Sequence, residues 1–399
     1  MPNSRRPHVV LGAFLIAQSV LIPIGRAGED PLRFGVGVAK QSDLLSTFST
    51  LKQFVRNIPK NFRSCAYRLK SKAETLNLIE KDETLRKKVR EIFDERLNAP
   101  TAQNCLSFAN VPREFAKIME TNLGVCAGIT YTAWLTNYLA IWDEAGRDHL
   151  RFKVEPKLAE GWTADRIGDA IARWRTSERK SYNQKDREAL AGFFETFFRR
   201  LYVEKRVTVV PFFKDLEEFS SHPATKDFMK HVALEKWAET NFSALSLFEM
   251  GFSGRHVVND LRKRELTALV RQAKDYLDAG VAPIVFFSLP SHEKSLRRIH
   301  VVRIKKIVAS ADGDAMTLIV VDPNFIAPDN IRRITVKGLT SAAAGDRVKA
   351  VYSRYQDDEV DLATGAIAHP LAELEMVPWF DVESVEMLKA WKAFLEEFG

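Results

Sequence analysis

Between Glu120 and Asp143 the chain carries no charged side chain. Such a stretch has to be covered, by lipid or by protein, because apolar surface is unfavourable in water. Thr130, Thr132, Thr136 and Asn137 make it too polar for lipid. The sequence therefore predicts one helix over residues 125–142, buried inside the fold. Helices are also expected on either side. Residues 41–98 read as helical, ending in a charged helix around Lys81–Leu97. Residues 100–123 form a connection and a short helix leading to Gly124. From about 160 to 280 the pattern is mostly helical. Thr163 can cap a helix whose Ile167, Ile171 and Trp174 share a face. Leu190, Phe193, Phe194, Phe197 and Leu201 form a second apolar stripe, and Leu266, Leu269, Val270, Ala273 and Leu277 a third, stopped by Gly280.

Beyond Gly280 the periodicity changes from helical to alternating. Pro283–Leu289 reads as a strand, Met316–Val321 as a fully buried one, and Arg298–Ile307 as a half-buried one. Ala311–Asp314 reads as a turn, residues 332–338 and 348–355 as further strands, and 382–397 as a terminal helix. Helices first and an antiparallel sheet afterwards define an α+β architecture.

The first 27 residues have the layout of a cleavable secretion signal. Arg5 and Arg6 precede an uncharged run from Val9 to Ile24, and Gly25-Arg26-Ala27 supplies small residues for cleavage after Ala27. The expected location is therefore exported, periplasmic or extracellular, with no stable membrane span once the signal is removed. The net charge of +7 includes Arg5, Arg6 and Arg26 of that segment. What remains is mild and spread along the chain, which does not describe a nucleic-acid binder.

The chain has three cysteines, Cys65, Cys105 and Cys126. Exported proteins tend to pair their cysteines, and an odd one needs a reason. No Cys-x-x-Cys and no Cys/His cluster at zinc spacing is present, so no metal or organic cofactor is expected. Cys126 stands out by position, in Leu123-Gly124-Val125-Cys126-Ala127-Gly128 at the start of the buried helix. Helix N-termini offer free N–H groups and partial positive charge, which favour a thiolate. If Cys126 is the free thiol, Cys65 and Cys105 are expected to form a disulfide.

A thiolate mechanism needs a base and a group to orient it. His300 lies on a strand where it shares a face with Val302 and Ile304, towards the core where the buried helix is expected to pack. The following strand ends in Val321-Asp322-Pro323-Asn324. A hairpin returns this end to the start of the His300 strand, so Asp322 can hold one imidazole nitrogen while the other faces Cys126, with Asn324 as the alternative. Asp-Pro-Asn is equally an ordinary turn sequence, and His292 in its Ser-His-Glu-Lys loop is a rival base.

These pieces resemble papain-like cysteine peptidases, in particular bacterial members of the double-glycine peptidase type. The matching residues are Gly124–Gly128, Leu277–Ile284 with its Gly-x-x-Pro lead into the sheet, His300-Val301-Val302, and Val321–Asn324. The resemblance implies a papain-like domain over 28–399, with an N-terminal helical region (28–110), a helical insertion or lobe (143–265) and a β-sheet lobe (281–360). It also implies Cys126 as nucleophile, His300 as base, Asp322 as orienting residue, and amide hydrolysis of a peptide or protein substrate through an acyl-enzyme. The family often places a Gln shortly before the Cys to bind the oxyanion; Asn122 is the candidate here. A catalytically inactive binding protein of the cell envelope and a transglutaminase-like acyltransferase share the same pattern.

Overall fold

The computed structural model describes residues 83–110, 125–146, 154–175, 184–242, 263–289, 298–340, 342–343, 348–353, 369–371, 373–377 and 380–398. Residues 1–27, expected to be a secretion signal, the helical readings up to residue 82, Cys65, Asn122 and His292 lie outside the described residues.

The chain begins with α1 (Glu83–Asn98) and a 3-10 turn at Thr101–Asn104. The uncharged stretch then forms α2 (Cys126–Leu139), every residue of which is buried. It is shorter than the predicted helix. Ala140–Asp143 leaves helical geometry to form β1, paired in parallel with β2 (Thr208–Pro211). Ile141 and Trp142 are β-branched and aromatic, and a buried partner strand overrides their helical periodicity. Between these strands lie α3 (Ala164–Arg175), which starts where the Thr163 hydroxyl accepts from the Arg166 N–H (3.2 Å), and α4 (Gln184–Phe198) with a π-turn at Arg199–Val203. After β2 come α5 (Leu216–Ser221), α6 (Lys226–Phe242) and α7 (Lys263–Asp278). Gly280, at φ +77°, ends α7 in the left-handed conformation that glycine adopts without a Cβ clash.

Seven strands follow: β3 (Ile284–Leu289), β4 (Arg298–Ala309), β5 (Ala315–Val321), β6 (Ile331–Lys337), β7 (Lys349–Ser353), β8 (His369–Pro370) and β9 (Glu373–Met376). A terminal helix, α8 (Phe380–Phe398), completes the chain. The strands form one curled antiparallel sheet in the order β8-β7-β6-β5-β4-β3-β9. The fold is thus mixed α and β, and its sheet runs past residue 360 to Met376.

Each face of this sheet has its own core. One holds Val285, Phe287, Val302, Ile304, Leu318, Val320, Ile334 and Val336, covered by Leu266, Leu269 and Ala273 of α7. The other presents Ile284 and Val301 to α2. That second core is continuous with the phenylalanines of α4 and with Trp391 of α8, so segment 143–265 shares a core with α2. Polar side chains spaced along α2 make the docking specific. Thr130 Oγ1 donates to the Val301 carbonyl (3.2 Å), Trp134 Nε1 to the Ala282 carbonyl (3.0 Å), and Tyr138 Oη to the Gly280 carbonyl (3.0 Å). On its other side α2 meets α6 at Gly128, where an added Cβ would stand 1.8 Å from the Ala233 carbonyl oxygen. Among the described residues no helix is long and apolar enough to cross a membrane.

Candidate active site

Cys126 is the first residue of α2 and is 7 % exposed. The first intrahelical hydrogen bond runs from the Ile129 N–H to the Val125 carbonyl (3.0 Å). The N–H groups of Cys126, Ala127 and Gly128 therefore have no carbonyl within their own helix, as at any helix start. The N–H of Val125 is taken by the Asn110 side chain, whose Oδ1 accepts it at 2.6 Å.

His300 is the third residue of β4. It shares a face with Val302 and Ile304 as expected from the alternation, but that face belongs to the α7 core. The helix carrying Cys126 packs on the opposite face, through Val301. The two meet because His300 lies near the end of its strand, where the imidazole reaches the start of α2. There the ring comes close enough to the Cys126 side chain to be influenced by it.

The other side of the imidazole is held by the end of β5. His300 Nε2 is 2.7 Å from Asp322 Oδ1, and the carboxamide nitrogen of Asn324 lies 3.3 Å from the same ring atom. Nδ1 is then the nitrogen left for the thiol. Asp322 and Asn324, alternatives in the sequence, thus stand side by side, with the carboxylate closer. The segment is also a turn: the Asn324 N–H donates to Asp322 Oδ1 (2.8 Å), and the Phe325 N–H to the Asp322 carbonyl (3.3 Å).

Asp322 is fully buried. Burial alone would raise its pKa, but the His300 charge and hydrogen bonds from His300, Tyr352 and the Asn324 N–H outweigh it and hold the carboxyl below its usual range. Burial likewise works against a charged His300. The Asp322 charge and hydrogen bond, together with Cys126, outweigh it and raise the imidazole to about 10. The pair is therefore an imidazolium–carboxylate at neutral pH.

Two participants escaped the sequence reading. Tyr352 donates a short hydrogen bond to Asp322 Oδ2, and its ring packs on Phe287, which in turn meets His300 edge-on at 5.4 Å. The alternation of Ala350 and Tyr352 along β7, continued by Val348 just before it, already turns this tyrosine inward, and a buried phenol needs a partner. Asn110 gives no such signal. Its backbone N–H donates to the Pro323 carbonyl (2.6 Å) and its Nδ2 to Asn324 Oδ1 (2.8 Å). With the bond to Val125, it links the Cys126 helix to the turn that holds His300.

Cys105 is a free, buried thiol; Cys65, its expected disulfide partner, lies outside the described residues. The Cys105 sulfur accepts from the Arg303 guanidinium at 3.8 Å, and burial pushes its pKa up. Comparison with protein-family models, with curated proteins and with solved structures finds no match.

Proposed function

We propose that this protein is an exported thiol hydrolase of papain-like design, a cysteine peptidase working through a Cys126–His300–Asp322 triad. The observation that carries the reading is the His300 imidazole standing between the Asp322 carboxylate and a thiol at the start of a buried helix.

The roles follow from the geometry. Asp322 fixes the ring and its charge, so His300 serves as the proton carrier and pairs with Cys126 as a thiolate. The thiolate attacks the scissile carbonyl, and the N–H groups at the start of α2, which no carbonyl of their own helix takes, stabilise the developing oxyanion. Imidazolium donates its proton to the departing amine. Water, deprotonated by the now neutral imidazole, then releases the acid from the acyl-enzyme and regenerates the thiolate–imidazolium pair. Asn122 is the candidate second oxyanion donor.

Alkylation by iodoacetamide at mildly acidic pH tests the reading. Cys126 should be labelled in the native chain, and Cys126→Ala should abolish both the label and hydrolysis of a broad peptide library. Labelling that requires denaturation would sink the enzyme and leave a binding protein. Transfer of the acyl group to an added amine in preference to water would indicate an acyltransferase on the same triad.

A further inference from the structure

At the far end of α2 from Cys126, a small cavity is lined by three cationic side chains: Arg96 of α1, and Arg303 and Lys305 of β4. Arg303 is 7 % exposed. None of the three makes an ion pair among the described residues. Their hydrogen bonds go to neutral oxygens and one sulfur. Arg96 donates to the Asn137 carbonyl, Arg303 to the Asn104 carbonyl (3.2 Å) and to Cys105, and Lys305 to the Ala99 carbonyl (3.3 Å) and Thr101 Oγ1 (3.2 Å).

Nearby groups do not supply the missing negative charge. Burial raises both acids at this spot, the Cys105 thiol and the Tyr138 phenol, the latter to about 12, so both are neutral. Asp94, Glu95 and Glu217 act on the cluster only through space. The C-terminal ends of α1 and α2 do converge here, and each brings about half a negative charge. Two helix ends offset about one of three positive charges. Unpaired buried charge is expensive, so the remainder calls for a counter-ion.

The cavity itself selects the kind of ion. Its volume is about 10 Å³, about the room of one water molecule, which limits an occupant to a single small ion. The Asn137 side chain also lines it. This residue is 5 % exposed, sits on the helix face that carries Thr130 and Trp134, and has no hydrogen-bond partner for its carboxamide among the described residues. Its N–H₂ is a ready donor to an anion.

We propose that the cavity between Arg96, Arg303, Lys305 and Asn137 binds a single halide-sized monovalent anion, chloride in practice, which ties α1 and the C-terminal end of α2 to β4. The site is independent of the peptidase reading. Burial lowers the pKa of Arg96 and of Lys305, the direction expected of cations held together without a counter-ion.

The test compares sodium chloride with sodium gluconate at equal ionic strength on the full chain. The melting temperature should rise saturably with chloride, by about 3 °C or more, and stay level in gluconate. Crystals grown in sodium bromide should show an anomalous peak in the cavity. Lys305 is partly exposed, so Lys305→Gln should fold and lose most of the chloride-dependent shift. Equal melting in both salts with no bromide peak overturns the proposal. So does a chloride shift that Lys305→Gln retains in full, because the ion then sits elsewhere.

Discussion

The two ends of α2 treat buried charge in opposite ways. At the N-terminal end the fully buried Asp322 carboxylate is matched by His300, and Tyr352 and the Asn324 N–H donate to it as well. At the C-terminal end Arg96, Arg303 and Lys305 converge without an acid. One helix thus joins a closed electrostatic circuit to an open one. Charge balance achieved with protein groups alone marks the end suited to proton transfer. Balance left incomplete marks the end that takes its partner from solution.

Opening the closed circuit is expected to give the largest effect. Asp322→Asn keeps the shape but removes the charge that holds His300 protonated and oriented. Peptide hydrolysis should fall by about 10³-fold or more, mostly in kcat. Removing one partner of a buried pair should also cost about 3–5 kcal/mol of stability, measurable by urea unfolding. Near-normal turnover in a folded Asp322→Asn chain would show that the circuit is structural and that the chemistry lies elsewhere.

Changing pH probes the same contrast without a mutation. The His300 pKa is raised from 6.5 to about 10 on folding. Its contribution to stability is fully present below pH 6.5 and is lost as pH rises through about 10, because the folded state must give up a proton it holds more tightly than the unfolded chain does. The depressed Asp322 carboxyl gives the acid limb of the same interaction, lost as pH falls below the usual carboxylate range. Arg96 has the opposite sign to His300. Burial lowers its pKa on folding, but a guanidinium stays charged across this range, so it adds no titration of its own. Melting temperature should therefore decline between pH 6.5 and 10 in the wild type and more shallowly in His300→Gln. An equally steep decline in the variant would detach the titration from His300.

How much of this was legible in the sequence follows from which interactions are local. The start of α2, the Gly280 stop, the strands from Ile284 to Val321 and the pairing of His300 with Asp322 all rest on period, turn residues and hairpin return, which act over short spans. β1 was not legible, because its partner β2 begins at Thr208 and only that pairing draws Ala140–Asp143 out of the helix. The side of the sheet on which α2 packs was not legible either. Arg303 and Val301 are buried, as Val302 and Ile304 are, so both faces of β4 are covered and alternation cannot say which one meets the helix. The cation cavity depends on α1, α2 and β4 together, and Arg96 and Lys305 read singly as ordinary surface charges.

Asn110 gives the smallest test and the one that bears most directly on how the closed end is assembled. It touches neither the thiol nor the imidazole; it acts through Val125 and Asn324. Its three hydrogen bonds set the height of the Cys126 helix against the Asp322–Asn324 turn. Asn110→Ala leaves the Val125 N–H and the Asn324 carboxamide oxygen without their partner, at a cost of about 1–3 kcal/mol. A structural role alone would end there, with turnover per folded molecule unchanged. If Asn110 positions the triad, kcat should fall about tenfold at constant KM, since a small misplacement of reacting groups is felt in the transition state and not in ground-state binding. Asn110→Asp should restore much of it, because Oδ1 can still accept from Val125 while the second carboxylate oxygen can accept a hydrogen bond from a turned Asn324 amide. Asn110→Gln, which carries the same groups one carbon further out, should not. Equal rescue by Gln and Asp would mean that the link is loose, and that the Cys126–His300 geometry is set by the packing of Thr130 and Trp134 on the sheet instead.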